Sequence, residues 1–426
     1  MNKFRSLVPP WADQGEVRCK SVATIITVIE CRAFISRNTH QAQAKVCAFS
    51  ANVFGYEKCS RFREHGGTIP FCSHRIATLF LPQGGKKAFF YCKERKLLFC
   101  GSFGYRYDGK QKSILKKLKR EKLRHEAVRD AIISENPDVI HANDLNALIP
   151  AYAAKKKLGC KLVYDSHEIN VENYTGKRSY LATVMRLIEK HIVKRVDLMV
   201  CVSNAAAEYF EKEYKIKKPM VVTNCSLKKE CVALDGIEKN QGFEILNHGQ
   251  FYKGRGYDIM AKACSLLRDY PDIHPCVRGF GVMEEELHQI VDETESKDQF
   301  RFYPPVRVEE LIPMAAHSHV GVAITEPICL NFKLSVSNKL FEYASAGLPI
   351  IMSDIPEHRY LNEKYEFGVI ISENTPEAFA EAAIKLYTDK EFYNKCVENA
   401  KEMSDEINWE NEFVRLVELE SELLNA

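Results

Sequence analysis

Residues 331–351, NFKLSVSNKLFEYASAGLPII, pass from a polar loop into a helix and out again into a buried strand. The helix opens at Ser337 or Asn338, Gly347 and Pro349 stop it, and Pro349 to Ser353 supplies the apolar run of an interior strand. A loop feeding a helix N-terminus gathers unpaired backbone N–H groups and the positive end of the helix dipole, so a phosphate can be held there without a metal. Lys339 adds a mobile cation. Glu342 lies four residues beyond Asn338 on the same helix face, one turn deeper, where a carboxylate can accept from a ribose diol. The spacing suits a nucleotide diphosphate. An ordinary α/β loop and helix with a solvated Glu342 fits the same residues, so the rest of the chain has to decide.

At 426 residues and 46% apolar composition the chain can bury two cores of ordinary size, and two domains are expected. Its net charge of +3 conceals an asymmetry: residues 1–220 hold 40 Lys and Arg against 21 Asp and Glu, whereas residues 221–426 hold 20 against 36. A basic half of this size fits an anionic membrane surface, a nucleic acid or the acidic half itself, with plain solvation as the alternative. Paired Cys/His ligands and an aromatic RNA-reading strand are both missing from the sequence, so no nucleic-acid partner is expected. The 15 cysteines are scattered without a C-x-x-C pair, the pattern of reduced thiols in a cytosolic protein.

The one apolar run that resembles a membrane span, Val22 to Ile35, is too short and contains Glu30 and Arg32. Asp13 and Glu16 before it argue against a signal peptide, and a cytoplasmic protein is expected. The densest basic segment runs from Lys110 to Arg129. Its early apolar residues, Ile114, Leu115 and Leu118, do not line up with the later Ala127, Val128, Ala131 and Ile132, which predicts a kinked helix or one with two roles. The later part would pack on a sheet, and the earlier part could rest peripherally on an anionic leaflet.

The first forty residues show no clear period. From Lys45 the pattern reads as a strand, a turn and helix over Gly55 to Glu64, and a second strand at TIPFC. Gly55 is the single glycine of a loop that would line the ligand crevice of an open parallel sheet. Strands at 138–142, 161–165 and 197–202 then alternate with helices at 145–158 and 180–193, and Ser203 caps another helix reaching Lys212. Residues 220–225 and the polar stretch after them read as a bridge between domains. The alternation restarts with strands at 244–248, 273–278, 300–303, 319–324, 349–353 and 368–371, and closes with helices at 376–387, 391–404 and 409–424. Two such sheets would leave a cleft lined by the carboxyl ends of their strands.

Two further constellations fall at strand ends. HGQFYKGRGY, residues 248–257, offers Gly249, Gly254 and Gly256 for close backbone approach and Lys253 or Arg255 to neutralise an anion, although a plain turn with exposed basic residues reads the same way. His141 and the run DSHE, residues 165–168, end adjacent predicted strands. A histidine there can bond a sugar hydroxyl or sit satisfied in the core.

Taken together, HANDL (141–145), VYDSHE (163–168), VCVSN (200–204), HGQ with GRG (248–256), RGFG (278–281), YPPV (303–306) and SNKLFEYASAGLP (337–349) resemble the retaining nucleotide-sugar glycosyltransferases of family 4, group 1. The resemblance spans about Lys45 to the C-terminus. It implies an α/β protein of GT-B architecture, two doubly wound parallel-sheet, Rossmann-like domains facing across a cleft. Residues 1–225 would bind acceptor, residues 226–407 the nucleotide sugar, and the helix 408–426 would pack back on the first domain. It further implies transfer of a hexose, with retention, from a nucleotide sugar to a hydroxyl of a glycan or lipid-linked acceptor in surface polysaccharide or glycoconjugate synthesis. No metal cofactor is implied, and no Asp-x-Asp motif is apparent.

By the same resemblance Glu342 matches the ribose-binding glutamate, His167 the histidine near the transferred sugar and Arg255 the basic residue on the diphosphate, to which the helix N-terminus adds Lys339. Gly249, Gln250, Lys253, Gly279, Val306, Ser337 and Asn338 complete the donor side, and Gly55, His141 and Glu168 the acceptor side. Two positions depart from the pattern. The earlier of the family's paired glutamates falls at Leu334, with Asn331 and Ser335 as substitute hydrogen-bonding groups, and Gln250 stands where many members place an arginine. A GT-B binding protein of weakened catalysis, or a nucleotide-sugar epimerase, are the alternatives these departures keep open.

Overall fold

Short apolar runs separated by helices build two sheets in a computed structural model that describes residues 76–80, 87–92, 98–102, 114–169, 180–227, 236–294 and 297–425. Apart from Leu98, the residues of both sheets belong to one of the chain's two compact units, that of Cys72–Lys93 with Phe99–Ala426. The first sheet comprises β1 (Ile76–Phe80), β2 (Lys87–Cys92), β3 (Leu98–Ser102), β4 (Val139–Asn143), β5 (Lys161–Ser166), β6 (Leu198–Cys201) and β7 (Met220–Val221), in the order β3-β2-β1-β4-β5-β6-β7. From β1 through β7 its pairings are parallel, and β2 runs antiparallel to β1. Its helices are α1 (Ile114–Glu135), α2 (Asp144–Leu158), α3 (Tyr180–Val193) and α4 (Asn204–Tyr214).

The second sheet comprises β8 (Phe243–Gln250), β9 (Ile273–Phe280), β10 (Arg301–Tyr303), β11 (Val320–Ala323), β12 (Ile350–Ser353) and β13 (Gly368–Ile371), all parallel in the order β10-β9-β8-β11-β12-β13. Its helices are α5 (Tyr257–Ala263), α6 (Glu284–Asp292), α7 (Leu311–Ala315), α8 (Leu330–Leu334), α9 (Asn338–Ser345), α10 (Pro356–Tyr365), α11 (Pro376–Thr388) and α12 (Lys390–Glu406). The last helix is α13 (Trp409–Asn425).

A parallel sheet covered on both faces needs apolar residues at successive positions, because neighbours along a strand point to opposite sides. On one face Ile245, Val277, Val322 and Ile351 pack with Tyr257, Met260, Leu287, Phe379 and Leu386. On the other, Leu246, Cys276, Ala323, Ile350 and Met352 pack with Ile312, Leu340, Phe341, Tyr343 and Met403. In the first lobe the carboxylate of Glu189, fully buried on α3, accepts from Tyr164 on β5 and Tyr214 on α4, each at 2.6 Å. Those two phenols satisfy both of its oxygens and so fix α3 and α4 against the sheet.

Several expectations change in detail. Strands β1 to β3 were not anticipated, although each is a short apolar run; a run of five residues carries no period to distinguish it from loop. The strands and helix expected between Lys45 and Cys72, Gly55 among them, lie outside the described residues. From Ile114 onward the basic segment lies in one continuous helix of 22 residues, α1, whose later part buries Val128 and Ile132, as expected of it. Met220 and Val221, read as the start of a bridge, close the edge of the first sheet against β6. The polar loop at Asn331 is a short helix, α8. Helix α13 contacts the first lobe: the Thr223 amide donates to Glu412 at 2.6 Å, the Trp409 amide to the Ser226 carbonyl at 2.9 Å, and Glu420 meets His141.

Candidate active site

Helix α9 begins where the sequence places it, with Ser337 as N-cap in extended conformation. The Ser337 side chain makes no capping bond, so it leaves the amides of the first turn to other partners. Lys339 stands in that first turn. Its ammonium donates to Asn247 Oδ1 at 2.6 Å and to the Tyr257 hydroxyl at 3.3 Å, and it lies 4.9 Å from the centre of the Tyr257 ring. Burial, with the Arg255 charge adding to it and Glu342 opposing it, pulls the Lys339 ammonium down to about 7.

Asn247 and Tyr257 tie this cation to the loop after β8. Asn247, fully buried, donates from Nδ2 to the Arg255 carbonyl at 3.1 Å. The Arg255 guanidinium rests 4.5 Å over the ring of Phe332 from α8, a packing that holds a charged group rigid while leaving its N–H edge available. Burial lowers its affinity for the proton, and Tyr257, Cys329 and Glu168 act in the opposite direction.

One turn further along α9, Glu342 Oε2 sits 2.8 Å from His248 Nε2 with its side chain 25% exposed. His248 is itself fixed: its ring stacks on Tyr343 at 4.4 Å, its amide donates to the Tyr343 hydroxyl at 2.9 Å, and its carbonyl accepts from Tyr257 at 3.2 Å. Burial first, then the nearby Lys339 and Arg278 charges, lower the His248 pKa against the pull of Glu342, so the ring is a neutral donor that orients one carboxylate oxygen.

In the first lobe the carboxyl ends of β4 and β5 bring together Asp165, His141, His167 and Asn143. His167 Nε2 lies 3.1 Å from Asn143 Oδ1 and 3.4 Å from Asp165 Oδ2. The His167 amide donates to Asp144 Oδ1 at 3.2 Å, and Asp144, first residue of α2, takes a positive φ of 62°. A left-handed aspartate at a helix start is costly, and its carboxylate steadies the backbone that carries His167. Burial would depress the His167 imidazole, but the Asp165 carboxylate outweighs it and lifts the group to about 9.

The structure separates the expected site residues into those it assembles and those it does not. Lys339, Arg255, Glu342, Ser337, Asn338 and Gly249 gather around the α9 N-terminus. Gly249 lies opposite Gly279 in the β8–β9 ladder, Gln250 follows at the ladder's end, and half-buried Val306 follows β10. Lys253 points elsewhere: its side chain is 76% exposed and its ammonium pairs with Glu286 at 3.3 Å. His141 is buried with both ring nitrogens bonded, so it holds Asp165 and has no nitrogen left for an acceptor hydroxyl. Asn331 and Leu334 join the lobes. The Ile169 amide donates to Asn331 Oδ1 at 2.9 Å, and the Ser203 hydroxyl to the Leu334 carbonyl at 2.6 Å. Sequence reasoning missed Asn247, Tyr257, His248 and Phe332; Tyr257 was within its reach as the last residue of the glycine-containing loop. Among the described residues no group of three His, Cys, Asp or Glu side chains is arranged to hold a metal ion.

The family described as Glycosyltransferase Family 4 matches residues 80–226, and that described as Glycosyl transferases group 1 matches residues 236–403, so between them the two cover most of the chain. The chain is a group 1 glycosyltransferase. The match begins at residue 80, short of the Lys45 start expected for the resemblance. A Haemophilus influenzae protein described as an uncharacterized glycosyltransferase is 22% identical over 331 residues, which cover 77% of this chain and 86% of that one. Sucrose-phosphate synthase from Thermosynechococcus elongatus superposes with a TM-score of 0.61 at 16% identity, over 76% of this chain and 82% of its own. HepE of Anabaena, solved with UDP, gives 0.58 at 15% identity, over 70% and 82%. These likenesses show the two-sheet GT-B fold. In this glycosyltransferase the N-terminal family match contains the Asp165 cluster, and the C-terminal match contains Lys339, Arg255 and Glu342.

Proposed function

We propose that this glycosyltransferase moves a sugar from a nucleotide-sugar donor to a hydroxyl of a glycan or lipid-linked acceptor, with retention of configuration, in polysaccharide or glycoconjugate synthesis. The observation that carries the reading is the pair of partly buried cations, Lys339 and Arg255, tied through Asn247 beside an uncapped helix N-terminus. Breaking the C1–O bond of the donor leaves positive character on the sugar and negative charge on the departing diphosphate. Fixed donors aimed at that diphosphate stabilise the transition state beyond the ground state. The acceptor oxygen bonds C1 on the face the diphosphate leaves, and its proton passes to a departing phosphate oxygen. Glu342, with one oxygen held by His248, offers the other to the ribose. His167 donates to a sugar hydroxyl from Nδ1. Cations and amides, rather than a metal ion, take the diphosphate charge in this scheme.

Uridine is the preferred base, since HepE was solved with UDP and with UDP-glucose. The expected result of thermal-shift measurements on the full chain is a rise in Tm with UDP that exceeds those with the other nucleoside diphosphates. Release of UDP from a UDP-sugar panel then separates an enzyme from a binding protein. No response to any nucleoside diphosphate would remove the reading.

The basic N-terminal half supports a second part of the proposal, that the acceptor is lipid-linked and the protein docks peripherally on the cytoplasmic leaflet. Among the described residues no helix is long and apolar enough to cross a membrane. Flotation with vesicles containing anionic phospholipid should carry the protein upward at low salt and release it at about 0.5 M salt. Equal flotation with neutral vesicles would refute electrostatic docking.

A further inference from the structure

Helix α13 reaches the first lobe at a point that general packing does not explain. Glu420, 9% exposed, places Oε1 2.7 Å from His141 Nδ1, and on the other side of the same ring Nε2 lies 3.2 Å from Asp165 Oδ2. That same Asp165 oxygen is 3.4 Å from His167 Nε2. A ring between two carboxylates has an acceptor at each nitrogen, so both nitrogens donate and His141 is an imidazolium. A neutral ring would donate to only one of them, so that either Glu420 loses this donor or Asp165 keeps His167 alone. The chain Glu420, His141, Asp165, His167 thus runs from the end of the sequence to the histidine assigned above to the donor sugar.

We propose that Glu420 and His141 are positioning residues for His167: Glu420 keeps His141 doubly protonated, His141 anchors Asp165 and shares its charge, and Asp165 orients His167 with Nδ1 toward the sugar. The inference rests on the assignment of His167 under the proposed function. The charged groups facing these two rings are Asp165 from β5, Glu420 from α13, Asp144 from α2 and the rings themselves. Burial opposes the charge on His141, and Asp165 and Glu420 together overcome it, raising the group to about 10. The positive charge on His141 works against protonation of His167, so the two rings compete for one carboxylate.

Glu420→Gln separates this role from a merely structural one. A flipped amide can donate to His141 Nδ1 while a neutral ring still donates from Nε2 to Asp165, so the geometry survives and the charge does not. With His141 neutral, Asp165 acts on His167 alone. The expected result is a folded variant in which the His167 titration, read by NMR of ¹⁵N-histidine-labelled protein, moves up by about one pH unit. The alkaline limb of kcat/KM should move with it. A folded variant whose His167 titrates as in the wild type overturns the proposal. Should the variant not fold, the wild type decides: His141 should read as an imidazolium at pH 8, and a neutral ring at pH 7 overturns the relay. Both titrations are read without donor, so they stand apart from the sugar transferred; unchanged transfer in His167→Ala would instead overturn the assignment of His167.

Discussion

Arg255→Ala is expected to lower kcat by about two to three powers of ten, with the KM for donor changing by less than about tenfold. The guanidinium is preset on the Phe332 ring at 4.5 Å, and the Arg255 backbone carbonyl accepts from Asn247 at 3.1 Å, so little reorganisation is needed as charge builds on the leaving diphosphate. A group that only gripped the ground state would raise KM and leave kcat alone, and that split would remove Arg255 from the transition state. Arg255→Lys should recover little of the loss, because a lysine neither stacks flat on Phe332 nor presents a planar fork to phosphate oxygens.

Lys339 adds a proton to the same step. Held at about 7 in the free protein, it is mostly neutral at pH 8, and a bound diphosphate favours its ammonium form. Donor binding near pH 8 should therefore take up a proton, and affinity should fall as pH rises above 7 until the pKa of the complex is passed. Calorimetry of UDP binding in buffers of different ionisation enthalpy reads this directly. Lys339→Met should abolish the uptake, and buffer-independent heats in the wild type would contradict it.

The residues that announce themselves in the sequence are those whose conformation is set locally. Ser337 stands at the N-cap position of α9, although its side chain makes no capping bond, and Gly347, at φ 65°, follows the helix end; both are legible because these positions have narrow residue preferences. Strands β4, β5, β8 and β12 were legible as apolar runs between helices. Lys253 and Arg255 show the limit. Two residues apart on one loop, they look equivalent in sequence, yet one pairs with Glu286 in solvent and the other is folded over Phe332. The partners that decide the chemistry are distant in sequence: Lys339 with Asn247, Glu342 with His248, His141 with Glu420. No periodicity encodes such pairs, since they arise only when the β8 loop, α9 and α13 have been placed by the packing of separate elements. Leu334 makes the same point. Its side chain removes an expected carboxylate, while its carbonyl takes a role in joining the lobes that any residue could fill.

Gly279→Ala should be among the most disruptive single substitutions in the second lobe. Gly279 is the ladder partner of Gly249 where β8 and β9 run out toward the loop that carries Arg255, and its φ is 152°. A Cβ there would stand 1.8 Å from the Gly249 carbonyl oxygen and 3.2 Å from the Phe251 ring. The obstacle is backbone, so no rotamer change relieves it, and β8 must part from β9 beside the proposed donor site. Backbone strain of about 1–3 kcal/mol and a steric cost of similar size together approach about 4 kcal/mol, a large part of the stability of a typical domain. Gly159→Ala supplies the control. Its φ of 71° carries comparable backbone strain, yet nothing lies within 4 Å of the added carbon, so it should cost about 1 kcal/mol and leave UDP binding intact. Urea unfolding and UDP titration of both variants measure the difference. If the two proved equally stable with equal affinity for UDP, the close approach of Gly249 to Gly279 would not shape the site.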